Sequence, residues 1–171
     1  MAVTITKPEI NLREKLKELD FETVPFQKMP SGSVIQVVEE SRSTQGQTSS
    51  TSFVDTGLEA TITLSSDVNK VLVLVHDNAR AFSNSGSQRG EYGLFNESDE
   101  IITFLFGRRN GGSSGSSSTT FETPVSISAL HEPNTITPVT YKTRIRLSSG
   151  SAVNWNHFGA KSTITLMEIA G

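Results

Sequence analysis

The sequence contains no cysteine, so neither disulfide bonds nor thiolate metal sites stabilise the fold. Charged residues make up only 19% of the 171 positions, and the formal net charge of -3 gives no general attraction to nucleic acid or to an anionic membrane. No apolar run approaches the roughly 18 residues that a membrane span needs. Residues 1–20 lack the cationic and apolar regions of a secretory signal. We therefore expect a soluble protein, made in a cytoplasm, that binds neither nucleic acid nor membrane.

Serine, threonine and glycine fill much of the remaining sequence, which is typical of short strands joined by polar turns. The alternation is clearest at 162–169, where Ile164, Leu166 and Glu168 share one face. The pattern predicts strands at 33–39, 51–54, 59–64, 70–77, 91–95, 101–108, 123–131, 139–147, 152–155 and 162–169. We therefore expect an all-β fold whose body is an antiparallel sandwich, jelly roll or barrel, behind a short N-terminal helical arm.

Two of these strands contain continuous apolar runs, within 70–76 and 101–106, and are expected to be central and covered on both faces. Between the strands, the polar segments 41–52, 79–90 and 110–120 are expected to be loops.

The helical pattern lies at the N-terminus. Pro8 and Glu9 suit the first turn of a helix, and Leu12, Leu16 and Leu19 then form a narrow apolar ridge. A helix of about three turns is marginal in water, so the ridge must dock on its own body or on a partner chain. The sequence thus divides into an arm at 1–30 and a β body at 31–171. The arm residues expected to bind a partner are Ile10, Leu12, Leu16, Leu19 and Phe21.

The sequence offers no credible active site. His76, His131 and His157 have no neighbours at metal-ligand spacing, and no serine lies in a nucleophile-elbow pattern. Glu97, Asp99 and Glu100 would fit a calcium site or a catalytic carboxylate pair, but a solvated turn explains them equally well. We therefore expect no enzymatic activity, no cofactor and no metal.

Lys142, Arg144 and Arg146 alternate along one strand and place three cations on one face. The simplest interpretation is an outer sheet face whose cations pair with acids on neighbouring strands. A surface for an acidic partner subunit is the alternative. A nucleic-acid surface is the weakest option, because no aromatic residues interleave there.

Several short motifs occur in the order expected for a known class of β-rich module. They are Gly-Ser-Val-Ile-Gln-Val-Val at 32–38, Thr-Ser-Phe-Val-Asp-Thr-Gly-Leu at 51–58, Ala-Thr-Ile-Thr-Leu at 60–64, Asn-Lys-Val-Leu-Val at 69–73, Thr-Tyr-Lys at 140–142 and Ser-Thr-Ile-Thr-Leu-Met-Glu-Ile at 162–169. In these residues the chain resembles virion structural modules of tailed, marine-type bacteriophages, which occur in head decorations, head fibres and tail fibres. The likeness covers roughly residues 30–170 but not the loops at 79–120, and residues 7–16 resemble the leader segments of such proteins.

This resemblance implies a non-enzymatic virion component, with a homotrimer as its expected assembly. The absence of repeats and heptads favours a capsid decoration or head fibre, anchored to the major capsid protein or to other virion subunits by the arm. The alternative is a receptor-binding tip of a tail protein that binds a glycan or protein of the host cell surface. Its expected outward loop contacts are Arg80, Phe82, Arg89 and Tyr92.

Overall fold

The computed structural model describes residues 29–83, 87–109 and 119–171. Ten strands are present: β1 (Val34–Arg42), β2 (Gly46–Thr48), β3 (Val54–Ile62), β4 (Lys70–Ser83), β5 (Gln88–Asn96), β6 (Ile101–Arg109), β7 (Thr119–His131), β8 (Val139–Ser149), β9 (Ala152–Trp155) and β10 (Ser162–Ile169). A short 3-10 helix, His157–Gly159, separates β9 from β10.

The strands form two antiparallel sheets. The six-stranded sheet has the order β1-β10-β4-β9-β2, with β7 on the free side of β4. Strand β4 pairs with β10 through residues 70–76 and with β9 through residues 80–82. Since β9 and β10 occupy the same side of β4, and β2 and β1 pair beyond them, this sheet is four strands wide. The four-stranded sheet has the order β3-β8-β5-β6.

The chain passes between the sheets as in a jelly roll. It crosses from β1 to β3, back to β4, across to β5 and β6, back to β7, across to β8, and returns in β9 and β10. Two sheets that are each four strands wide and are connected in this way form the double Greek key of a jelly roll. The prediction of an all-β, antiparallel, jelly-roll-like body is confirmed.

The core lies between the two sheets, because residues of one parity on each strand face inward. Val71, Val73 and Val75 on β4 are fully buried, as are Ile164 and Leu166 on β10. The facing sheet contributes the fully buried residues Leu94 and Tyr141 and the nearly buried Ile145 and Leu58. The core pattern read from 162–169 is therefore confirmed.

Strand β4 corrects two predictions. It extends to Ser83 and β5 begins at Gln88, so most of the predicted loop 79–90 belongs to the ends of two strands that lie in different sheets. The physical reason is period-2 alternation, since Ala79 and Ala81 face the core while Arg80 and Phe82 face outward. The outward side chains of the apolar run are only partly buried, so the described residues cover one face of β4 and not both.

Three other segments also differ from the predictions. The short strand β2 lies inside the predicted loop 41–52. The strands predicted at 51–54 and 59–64 form the single strand β3, whose pairing shifts between Asp55 and Glu59 around Gly57 at φ 78°. Strand β6 is an edge strand with partly exposed apolar residues, because β5 covers one side of it only.

The predicted helix and its five partner-binding residues lie outside the described residues, and the boundary between arm and body stays a prediction. Within the described ranges, no helix has the length and apolar character needed to cross a bilayer.

Candidate interaction surface

The outer face of the six-stranded sheet carries an apolar row that runs straight across four strands. Val37 pairs with Met167, Met167 with Leu72, and Leu72 with Leu130. All four side chains point away from the core, and Val37 and Leu130 are 56% and 57% exposed. The solvated face of an antiparallel sheet normally carries polar residues. A continuous apolar row on that face therefore indicates a contact surface.

The row continues toward the end of the sandwich at which β1 begins. There, Val34 pairs with Ile169 on the same outer face. In the opposite direction along β4, Leu74 lies two residues from Leu72 on this face. We call the combined surface the outer stripe; it consists of Val34, Val37, Leu72, Leu74, Leu130, Met167 and Ile169. The ion pair between Lys70 and Glu132, with 2.6 Å between Nζ and Oε1, lies at its edge.

A cavity of about 330 Å³ lies at the same end of the body. Met29, Ile35, Val68, Ala170 and Gly171 provide its apolar and backbone lining. Since Met29 is the first described residue, the arm joins the body beside the C-terminus and next to the outer stripe.

The buried side chain of Glu168 connects several segments at this end of the body through hydrogen bonds. Its carboxylate has no exposed surface and accepts hydrogen bonds from Ser65 N and Oγ at 2.7 and 2.6 Å, Asn69 Nδ2 at 2.6 Å and Gln36 Nε2 at 2.5 Å. Burial alone would raise its pKa, but the hydrogen bonds from Ser65, Asn69 and Gln36 together outweigh burial and lower it. The ionised carboxylate thus fixes β1, β10 and the β3–β4 turn at the base of the arm.

A second feature of the outer face is the strained turn between β9 and β10. Asn156, Phe158 and Gly159 adopt φ values of 49°, 58° and 69°. Left-handed backbone is costly for a bulky residue such as phenylalanine. Nevertheless Phe158 is 83% exposed, and its ring contacts one face of the His157 ring, at 4.0 Å between centroids, so burial of the ring does not compensate for the strain.

Polar contacts hold the strained turn in place. The Phe158 N–H donates to Gln45 Oε1 at 3.0 Å. Asn156 Nδ2 donates to Arg42 O at 2.7 Å and to Ser162 Oγ at 2.6 Å. The buried His157 ring places Nε2 3.3 Å from Glu122 Oε1. Such a turn presents one aromatic ring from a rigid base, which is a geometry suited to contact with a partner.

The predicted outward contacts do not come together in one loop. Arg80 lies on β4, where Nη2 donates to Thr120 Oγ1 at 3.3 Å, and Phe82 is partly buried on the same strand below its guanidinium. Arg89 lies on β5 and pairs with Glu91 at 3.3 Å. Tyr92 is only 3% exposed, so its assignment as an outward contact is wrong.

Tyr92 is buried because β5 lies in the middle of its sheet and this residue faces inward. Its hydroxyl donates to Asp77 Oδ2 at 2.8 Å. Burial raises the pKa of Asp77, although hydrogen bonds from Tyr92, Asn78 and Asn156 oppose this effect. The pair is a satisfied polar contact in the core.

The three cations of β8 lie on the outer face of the four-stranded sheet and pair with acids. Arg144 Nε lies 2.6 Å from Asp55 Oδ1. Lys142 Nζ lies 2.7 Å from Asp99 Oδ1. Arg146 Nη2 lies 2.5 Å from Oε2 of the buried Glu91. The predicted pairing with acids on neighbouring strands is confirmed for Arg144 and Arg146, whereas the partner of Lys142 lies in the turn between β5 and β6. These cations serve the fold of the subunit itself.

The predicted acidic cluster is part of the same network. Hydrogen bonds from Lys142 and then Arg144 lower the pKa of the exposed Asp99, and Glu100 Oε2 accepts from Asn96 Nδ2 at 3.0 Å. His131 Nδ1 lies 2.8 Å from the Tyr141 hydroxyl oxygen. Among the described residues, no three acidic or histidine side chains are arranged to hold a metal ion.

A cavity of about 130 Å³ lies between the sheets, near the ends of β4 and β5. Its lining is mostly apolar, with Tyr92, Leu105, Phe121, Ile145 and Val153 among the contributors. The described residues of its lining form no convergent set of catalytic groups, so the surface features above are the stronger candidates for function.

No protein-family model and no curated protein matches the chain. Solved structures with a similar fold include the infectious bursal disease virus Gx strain, at 12% identity and a TM-score of 0.32 over 81% of this chain. The Gt strain structure gives 16% identity and a TM-score of 0.27 over the whole chain, and the VP2 subviral particle of the same virus gives 16% and 0.28 over 80%. The chain spans 38%, 43% and 37% of the lengths of these proteins. TM-scores of this size carry no assignment of function.

The residues that sequence reasoning missed are the exposed members of the outer stripe and Phe158. The signal for Phe158 was present, since Asn-His-Phe-Gly at 156–159 combines two residues that favour left-handed backbone. The signal for Val37 and Leu130 depends on strand pairing, which brings residues far apart in sequence into one row.

Proposed function

We propose that the chain is a structural subunit of a virion: a capsid decoration or head-fibre protein, assembled as a homotrimer. Residues 1–30 attach it to the major capsid protein or to another shell subunit, and the jelly-roll body is displayed. The observation that carries this proposal is the outer face of the six-stranded sheet, where an apolar stripe lies beside the point at which the arm enters. A body with such a face and an adjacent amphipathic arm is suited to assembly.

Two further considerations support a virion in particular. The sequence resembles bacteriophage virion modules over roughly residues 30–170. Viral capsid domains commonly use the jelly roll, which supports the proposal by analogy, because one fold hosts many functions.

The experiment is attachment of the full chain to particles of the virus that encodes it, measured by co-sedimentation and by immunogold electron microscopy. Leu16→Asp places a charge in the centre of the arm's apolar ridge and is expected to abolish attachment. Lys17→Asp introduces the same residue beside the ridge and serves as the matched control. Full decoration by the Leu16→Asp protein would refute the anchoring role of the arm. Light scattering after size exclusion tests the trimer.

A second candidate function, a receptor-binding tip of a tail protein, is favoured by Phe158. An exposed aromatic ring on a rigid base is suited to stacking on a sugar or to filling a pocket of a surface protein. Binding of the full chain to host cells is expected to fall with Phe158→Ala. Ile136→Ala, at another exposed apolar position, is the control. Gold label at the tail would favour this function, and label on the shell would favour the first.

A further inference from the structure

We infer that residues 9–20 of the arm dock on the outer stripe of their own body in the free protein. The inference rests on two apolar surfaces: the leucine ridge predicted for the arm, and the outer stripe, which lies beside Met29, where the arm joins the body. The inference does not rest on the proposed function, because it concerns the chain before it meets any partner.

The size of the stripe favours a short helix as its occupant. Val34, Val37 and Leu130 are about half exposed and the other four side chains are partly exposed, so the stripe is on the scale of the largest apolar patch of a monomer, a few hundred Å². A stable interface between two bodies needs about 800 Å² from each partner. The stripe is therefore too small to hold two bodies face to face without additional contacts, but an amphipathic helix of three turns would cover it.

The lengths of the two surfaces also agree. Three strand spacings separate Val37 from Leu130, which corresponds to about 14 Å. Leu12 and Leu19 are seven positions apart in the sequence, which corresponds to about 10.5 Å in the predicted helix. The leucine ridge therefore matches the stripe when the helix lies across the strands.

The connection between ridge and body is long enough for docking within one chain. Eight residues, 21–28, separate the docking segment from Met29, and a fully extended chain of that length would span about 26 Å. Met29 lines the same cavity as Ala170, and Ala170 is three residues, or about 10 Å of strand, from Met167 at the centre of the stripe.

Tethering then favours the chain's own stripe over that of another copy. For a connection of this length, attachment within one chain corresponds to an effective concentration on the order of 1 mM. A ridge that binds a free stripe with a dissociation constant of about 100 μM would therefore be docked about ten times as often as undocked. If the arm also attaches to a virion partner, that partner must compete with the stripe for the same leucines.

Disulfide trapping in the full chain tests this inference, because the chain contains no cysteine of its own. The test pair is Lys15→Cys, which flanks the ridge, with Thr165→Cys, which lies on the outer face beside the stripe. The control pair combines Lys15→Cys with Thr140→Cys, which lies on the outer face of the other sheet near the same end of the body.

Under mild oxidation we expect the test pair to form an intrachain disulfide at least about tenfold faster than the control pair, given the docked population above. Adding Leu16→Asp to the test pair is expected to reduce its rate to that of the control. Non-reducing gel electrophoresis separates the products. Interchain dimers as the main product would overturn docking within one chain, and equal rates for both pairs would overturn docking on the stripe. Neither failure affects the virion proposal, which the attachment assay decides.

Discussion

Glu168→Gln removes a charge from the buried cluster at the base of the arm while keeping the size of the side chain. In the wild type, both carboxylate oxygens accept hydrogen bonds, Oε1 from Ser65 and Asn69 and Oε2 from Gln36. A glutamine supplies one carbonyl oxygen and one NH₂ group. At one of the two oxygen positions, the new NH₂ group must therefore face a group that also donates a hydrogen bond.

The expected cost follows from these contacts. If the glutamine carbonyl keeps Ser65 and Asn69, its NH₂ group faces Gln36 Nε2, which retains its second acceptor, Thr63 O, at 2.7 Å. The new NH₂ group is then a buried donor without an acceptor, which costs about 1–3 kcal/mol. The remaining hydrogen bonds also lose the strengthening that a charged acceptor gives. We expect a loss of about 2–3 kcal/mol in the free energy of unfolding at neutral pH.

The pH dependence separates this explanation from simple loss of packing. The pKa of Glu168 is lower in the folded protein than its ordinary value of 4.5. The ionised group therefore stabilises the fold above pH 4.5, and this contribution is lost as the pH falls through the folded pKa. Asp77, whose folded pKa is raised, acts in the opposite direction but is present in both proteins and cancels in the comparison. The difference between wild type and Glu168→Gln should shrink as the pH falls below 4.5.

Urea denaturation from pH 7 down to pH 3, followed by the fluorescence of the single tryptophan, measures this difference. Glu39→Gln is the matched control, because Glu39 lies exposed on β1 with one hydrogen bond from Thr165 Oγ1 at 3.3 Å. It should change the stability by less than about 0.5 kcal/mol. A Glu168→Gln protein as stable as wild type at pH 7, or a loss independent of pH, would refute the reasoning.

Three further predictions concern other parts of the body. Phe158→Gly should raise the urea midpoint or leave it unchanged. The change relieves left-handed backbone strain of about 1 kcal/mol, which offsets the larger conformational entropy that glycine gives to the unfolded chain. A clear drop in the midpoint would contradict this. Gly46→Ala should cost about 1–3 kcal/mol and shift the emission of Trp155, because the indole ring occupies the space that the added methyl group needs; unchanged emission would contradict it. Arg146→Ala should destabilise more than Lys142→Ala in the same assay, because only Arg146 pairs with a buried carboxylate; equal losses would contradict it.

The sequence predicts the two C-terminal strands of the β body more accurately than the strands before them. The bounds predicted for β9 and β10 agree with the structure, because clear alternation and turn residues bracket both strands. Strand β4 was predicted to end at 77, six residues early, because the polar residues after it were read as a loop. The outward positions Arg80 and Phe82 belong to a regular strand whose inward positions are alanines, and small inward residues give a weak periodic signal.

Strand pairing explains why the candidate surface could not be predicted. The run of valines and leucines in β4 indicated burial on both faces, and the inward valines are indeed buried. The outward leucines instead join Val37 and Leu130 from strands distant in the sequence. Periodicity assigns residues to one of two faces, but it does not say which face a second layer covers.

The two outer faces of the jelly roll differ in whether their side chains already have partners within the subunit, and this difference decides which face is available to another molecule. On the four-stranded sheet, Arg144 and Arg146 stack on Phe95 and Phe53 and pair with acids of their own subunit, so a partner would have to break these contacts to bind there. On the six-stranded sheet, the apolar stripe has no such cover among the described residues, and contact with it would release water at no cost in broken ion pairs. An apolar face of this kind lowers the solubility of a free subunit unless something covers it. The leucine ridge predicted for the arm is apolar, has a matching predicted length and belongs to the segment that precedes Met29 at the adjacent end of the body, and the disulfide test above asks whether it provides that cover.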